Sequence, residues 1–269
     1  MKLSLYTFFI IITFSIHPVN SESISIESKS NLKTINPSCK EMYSAVDKGD
    51  IGLVRNIINK LETQEEKLAC IKYSLQQRRA TEDKGQFQAF QYLVELLITM
   101  ELPNQQDILN KILRNYTIVY LSKSPVFTRY LLSVGALPKV PNESGWFPVT
   151  SALWAPNDWG DCETPRLLIN ASSPEILALQ NKEGETALMQ SMDKGIACPD
   201  EHRLLAEKTP NLNFSDNNGN TALHHLLIQM KKDDSITNEY NSVILDILFK
   251  RGASTKIPNK KNVTPSQLP

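Results

Sequence analysis

The segment NKEGETALMQSMDKG, beginning at Asn181, returns as DNNGNTALHHLLIQM from Asp216, and a shortened copy, NKKNVTPSQL, begins at Asn259. Gly184 aligns with Gly219 and Thr186 with Thr221, a period of 35 residues. Self-similarity at that spacing marks a solenoid of small helical units, in which each unit buries its apolar face only against its neighbours.

Each copy can be read as one unit. A Gly two residues ahead of a Thr supplies a turn that permits positive φ, and the Thr hydroxyl is placed to accept from a free amide in the first helical turn. Ala187 and Leu188, then Ala222, Leu223, Leu226 and Leu227, begin a first helix. Val243, Ile244, Ile247 and Leu248 keep the one-face spacing of a second, and Gly252 stands where a helix takes a left-handed terminator. The expected fold is all-α, with two antiparallel helices and a protruding turn per unit.

These features resemble the ankyrin-repeat family, whose unit reads roughly G-x-T-P-L-H-x-A, a loop, a second helix ending L-L-x-x-G-A, and a hairpin turn. The matching residues are Gly184, Thr186, Ala187 and Leu188; Gly219, Thr221, Ala222, Leu223 and His224; Thr264 with Pro265; and Gly135-Ala136 and Gly252-Ala253. The C-terminal half carries the match. Upstream, Gly145-Trp146-Phe147-Pro148 keeps the glycine and the proline but not the Thr, and Trp154 to Cys162 fills the place of a short loop. Helix pairs are expected over 39–48 and 51–61, over 66–79 and 86–100, and over 107–121 and 125–134. That gives six pairs and a C-terminal half-unit, one solenoid domain over 38–269. The resemblance implies that His224 ties neighbouring turns together. It also implies that a protein partner is gripped on the concave face made by the hairpin turns and first helices.

The N-terminus is a different kind of sequence. Lys2 precedes an apolar run from Leu3 to Ile16, Pro18 follows, and Val19 and Ser21 fit the small-residue positions before a cleavage near Glu22. This reads as a signal peptide over 1–21. The competing reading, an uncleaved anchor, asks for ~20 apolar residues, and the run is shorter. Residues 22–37, rich in Ser, Glu, Lys and Asn, read as a flexible leader. The expected location is periplasmic or secreted.

Export changes the meaning of the four cysteines, since an even count in an oxidising compartment suggests disulfides. A quasi-linear stack keeps units three or more apart out of contact, whereas a bridge needs Cα atoms within roughly 7 Å. That leaves Cys39 with Cys70 and Cys162 with Cys198, pairs 31 and 36 residues apart, each about one repeat. Four separately buried thiols are the alternative, because stacked helices lie about 8–10 Å apart and would have to be pinched at their ends. The cysteines show no C-x-x-C spacing and no metal site is expected.

Catalytic motifs are missing: there is no G-x-S-x-G, no H-E-x-x-H and no Gly-rich phosphate loop. Beyond the leader only His202, His224 and His225 could serve as bases near neutral pH. Glu65-Glu66 and Asp233-Asp234 are expected on the surface. No enzyme and no cofactor are expected. Lys plus Arg and Asp plus Glu both total 29, with no long basic stripe, which argues against phosphate-driven binding to nucleic acid. Asn-x-Ser/Thr triplets at Asn115, Asn142, Asn170, Asn213 and Asn262 fall partly in helices or capping turns, where a glycan would obstruct stacking, which favours a bacterial envelope or secreted protein.

The expected hairpin turns run over 139–146, 179–185, 214–220 and 255–263. Trp146, Trp154 and Trp159 fall close together, and aromatic anchors dominate interface energies, so they form the first candidate contact patch, with Phe214 at the head of a later turn. Equally, the tryptophans could plug the gap in an irregular unit. The stretch from Lys231 to Asn241, polar and of mixed charge, is expected to be a mobile surface loop. The expected role is therefore a monomeric binding module. Immunity against an exported toxin, assistance to an envelope enzyme and engagement of a host protein all fit it; a degenerate hydrolase is the reading of a different class.

Overall fold

The computed structural model describes residues 36–76, 83–116, 125–153, 162–192, 198–232 and 236–268. Residues Asn36–Pro269 form one compact unit. The described residues contain thirteen α-helices and no strand. The first six are α1 (Pro37–Asp47), α2 (Ile51–Lys60), α3 (Gln64–Gln76), α4 (Lys84–Thr99), α5 (Gln105–Tyr116) and α6 (Pro125–Ser133). The rest are α7 (Pro148–Leu153), α8 (Glu163–Ala171), the single turn α9 (Pro174–Leu177), α10 (Ala187–Met192), α11 (Pro199–Lys208), α12 (Ala222–Lys232) and α13 (Ile236–Lys250). A 3-10 turn, Pro265–Gln267, completes a half-unit after six helix pairs.

Local sequence explains the elements. In α5, Ile108, Leu109, Ile112, Leu113 and Tyr116 recur on one face and all are buried. Asp50 caps α2, its Oδ1 accepting from Leu53 N at 2.9 Å, and Asp83 caps α4 in the same way through Gln86 N at 2.8 Å. Glu66 caps the start of α3: its Oε2 accepts from the amides of Glu62 and Thr63, while Thr63 Oγ1 accepts from Glu66 N.

The units stack in chain order. Among first helices, α1 packs on α3 and α3 on α5, then α7 on α10 and α10 on α12. Among second helices, α2 packs on α4, and α6, α8, α11 and α13 follow one another. Rings of α4 and α6 join the two runs. Phe87 lies 5.1 Å from Phe127, and Phe90 lies 4.8 Å from Phe127 and 4.9 Å from Tyr116. One apolar cluster extends from Cys39 to Ala253, so burial is continuous along the stack.

The expected loop over 231–241 is corrected. α12 runs on to Lys232 and α13 starts at Ile236, leaving 233–235 outside the described residues. Tyr240 explains the extension, because its hydroxyl donates to Pro199 O and its ring stacks on His202 with centroids 6.0 Å apart. Polar composition suggested a loop, but one aromatic contact to the preceding unit holds the segment as helix. The ends of the helices expected to reach Arg79 and Leu121 also lie outside the described residues, as do 1–35 with the signal segment and most of the leader.

Candidate interaction edge

Four hairpins project from the stack, and all four are built alike. Asn142, Asn181, Asp216 and Asn259 each open one. In each, the side-chain Oδ1 accepts from the amides two and four residues on, at 2.8 to 3.0 Å. The main chain closes the same ring, from Asn142 N to Trp146 O, Asn181 N to Glu185 O, Asp216 N to Asn220 O and Asn259 N to Val263 O. Three residues after the opener the chain turns left-handed, at Gly184 (φ 79°) and Gly219 (φ 81°). In the last hairpin Asn262 takes that place with φ 58°, one of the few non-glycine types that tolerates it.

The tips are bonded to one another. Asn181 Nδ2 donates to Gly145 O at 3.0 Å, Asn217 N to Glu183 O at 2.8 Å, Asn217 Nδ2 to Lys182 O at 2.8 Å and Lys260 N to Asn218 O at 2.9 Å. Hence the edge is a ladder with fixed spacing. At the two positions after each opener the side chains are exposed: Glu143 and Ser144, Lys182 and Glu183, Asn217 and Asn218, Lys260 and Lys261. The outward chemistry runs from a lone acid, through an opposed pair and two amides, to two lysines.

Beneath the tips the first helices are pinned. Thr186, Leu188, Thr221 and Leu223 are buried. Thr186 Oγ1 accepts from Met189 N at 3.3 Å, the cap expected of it. Thr221 departs from that pattern: its amide donates to His224 Nδ1 at 3.1 Å, and its hydroxyl bonds the same nitrogen at 3.0 Å. His224 Nε2 lies 3.1 Å from Val263 O, a carbonyl that can only accept. The ring is therefore the neutral Nε2–H form, linking its own helix start to the next hairpin; burial holds its pKa below the ordinary value. Thr264 and Pro265 start the final 3-10 turn, with Gln267 completing a capping box. Gly252 ends α13 at φ 83°.

Two further stitches join the second helices. Arg166 donates from Nε to the buried carboxylate of Glu201 at 2.8 Å. Arg251 Nη1 donates to Ala206 O and Thr209 O, both at 2.7 Å, closing the end of α11.

The cysteines sit in the pairs the stack allows, with Cα–Cα distances of 4.4 Å for Cys39 and Cys70 and 5.5 Å for Cys162 and Cys198, both at disulfide distance. Cys162 and Cys198 are the N-cap residues of α8 and α11, where helix ends can be drawn together, and neither makes a side-chain capping bond.

Of the expected aromatic patch, Trp146 is half-buried, its amide held by Asn142 Oδ1 at 2.9 Å, and Phe214 is half-buried against the apolar cluster. Trp154 and Trp159 lie outside the described residues. Ser191 and His202 form a buried pair at 2.9 Å, but the Ser191 hydroxyl donates to Leu188 O at 2.7 Å. The serine proton is thus committed to a main-chain carbonyl, and His202, its pKa pushed down to about 4 by burial, donates rather than accepts. This is core chemistry. The hairpin openers themselves escaped the reading of the sequence, although each stands three residues before Gly145, Gly184, Gly219 or Asn262.

No protein-family model and no curated protein matches the sequence. Among solved structures the fold matches the ankyrin repeat domain of Bcl-3, titled a unique member of the IkappaB protein family. The TM-score is 0.52 at 17% identity, over 85% of this chain and 92% of that one. The chain thus has the ankyrin-repeat fold, an all-helical solenoid with a hairpin edge. No helix among the described residues is long and apolar enough to cross a membrane.

Proposed function

We propose that this chain is an exported, non-catalytic module that grips a protein partner along its hairpin edge. One observation carries the reading: four tips built on the same side-chain and main-chain bonds, bonded tip to tip, hold eight exposed side chains at fixed spacing above first helices whose Thr186, Leu188, Thr221 and Leu223 are buried. A pre-ordered edge loses little conformational freedom on binding, which favours affinity. Export is supported by the apolar run from Leu3 to Ile16 and by two cysteine pairs at disulfide distance, a state that persists in oxidising compartments. The Ser191–His202 pair gives no support to a hydrolase, since its hydroxyl is buried and engaged.

The partner meets a graded edge, acid at Glu143 and basic at Lys260 and Lys261, which sets its orientation. Trp146, half-buried at the close of the first hairpin, and Trp159, which lies outside the described residues, are the candidate apolar anchors. The test is capture from an envelope extract by the wild type, by Lys260→Glu/Lys261→Glu and by Trp159→Ala. Loss of one specific protein with the charge reversal supports the edge. Undiminished capture by both variants moves the contact to another face. Identification of the captured protein as a toxin distinguishes immunity from assistance to an envelope enzyme or engagement of a host protein.

A further inference from the structure

Glu185, Asp216 and His225 converge between the second and third hairpins, one ligand atom from each lying within 4.8 Å of the others. Asp216 and His225 are buried and Glu185 is half-buried. Each carboxylate is already held in place. Asp216 Oδ1 takes the amides of Asn218 and Asn220 at 2.8 Å, which turns Oδ2 toward His225 Nε2 at 3.1 Å. Glu185 Oε2 is held by Asn181 Nδ2 at 3.1 Å and Gln190 Nε2 at 3.4 Å. Two carboxylates therefore face one imidazole in a largely buried site.

We propose that this cluster is a zinc site that staples one hairpin to the next. An imidazole nitrogen with two carboxylate oxygens is a zinc donor set with a fourth position left for water. Calcium and magnesium take oxygen donors, so the nitrogen selects against them, and the absence of sulfur from the cluster selects against soft ions. Zinc bonds of about 2.1 Å in a tetrahedron place ligand atoms roughly 3.4 Å apart. Asp216 Oδ2 and His225 Nε2, 3.1 Å apart, already lie near that spacing, and Glu185, the least buried member, must close in by at most about 1.4 Å to join them on that geometry. The hydrogen bonds on Asp216 and Glu185 are the outer-shell contacts that orient metal ligands. In the zinc form the imidazole keeps one proton on Nδ1 and offers the Nε2 lone pair, so zinc takes the place of the proton between Nε2 and Asp216 Oδ2.

The experiment uses the full chain after signal removal, without a polyhistidine tag and without reductant, stripped with EDTA and titrated with zinc alone by calorimetry and by metal analysis after dialysis. One zinc per chain is expected, with affinity reduced at least tenfold in both His225→Gln and Glu185→Gln. Cobalt as a probe gives visible d–d bands that His225→Gln abolishes. Circular dichroism checks that each variant folds, and Glu185→Gln, on the half-exposed member, keeps the test valid should His225→Gln fail to fold. Zinc bound substoichiometrically, affinity unchanged in the folded variants, equal binding of calcium, or a sulfur-to-cobalt charge-transfer band pointing to Cys162 and Cys198 would each overturn the site.

Discussion

Replacing Gly219 by alanine tests the hairpin ladder and can be set against a control in the same fold. Gly219 (φ 81°) and Gly252 (φ 83°) share a left-handed conformation, so an added Cβ costs each about 1 kcal/mol in backbone strain. Their surroundings differ. At Gly252 a Cβ meets nothing within 4 Å, whereas at Gly219 it comes to 2.8 Å from Lys260 N and 2.9 Å from Asn259 Cα. Those atoms are main chain, so the fourth hairpin must move away. It then gives up the bond from Lys260 N to Asn218 O and that from Asn259 Nδ2 to Asn220 Oδ1, each 2.9 Å and worth about 1 kcal/mol. Gly219→Ala should cost roughly 3 kcal/mol and Gly252→Ala roughly 1 kcal/mol. In a domain of this size these become falls in thermal midpoint of about 6–12 °C and about 2–4 °C. Gly184→Ala should follow Gly219→Ala, its Cβ falling 2.8 Å from Asn217 N. Scanning calorimetry on the three variants is the assay. Equal losses for Gly219→Ala and Gly252→Ala would show that the hairpins do not lean on one another.

Three other outcomes are expected. Closing loops of 31 and 36 residues stabilises through the unfolded chain by about 4 kcal/mol per bridge, and because the loops do not overlap, reduction with a phosphine should lower the thermal midpoint far more than any single surface substitution; an unchanged midpoint would show that the thiols are not bridged. His202, with a folded pKa of about 4 against about 6.5 when unfolded, contributes stability that is complete above the higher value and drains away as pH falls toward the lower. Roughly 3 kcal/mol should be lost across that window, and His202→Gln should flatten that part of the urea-unfolding profile; a parallel profile would refute the burial argument. At the left-handed Asn262, glycine should be tolerated and valine should destabilise by about 1–2 kcal/mol, a contrast readable by denaturant midpoints.

The fold was legible where the hairpin imposes a fixed chemistry. Gly184, Thr186, Gly219 and Thr221 recur because a left-handed turn and a buried helix start leave few residue choices, and the solenoid follows from their spacing. Upstream, apolar spacing alone located the helices. It placed the starts of α1, α3, α4 and α5 two residues late, because the opening residues of those helices, Pro37-Ser38, Gln64-Glu65, Lys84-Gly85 and Gln105-Gln106, carry no apolar spacing. The hairpin openers were harder to see: Asn142, Asn181, Asp216 and Asn259 act through one side-chain oxygen on local amides, a role any polar turn residue could suggest. His202, Ser191 and Tyr240 occupy positions that do not repeat, so no period exposes their contact. The same holds for Glu185, Asp216 and His225, which meet only because two hairpins are stacked.

The proposal of a neighbour-only stack in an oxidised, exported chain is tested most directly by a peptide map of the protein as recovered from its native compartment, alkylated and digested without reductant. The expected result is two linked peptide pairs, Cys39 with Cys70 and Cys162 with Cys198, and no alkylated cysteine. A Cys39 to Cys162 link would contradict the order of the stack, and four alkylated cysteines would contradict the exported, bridged state.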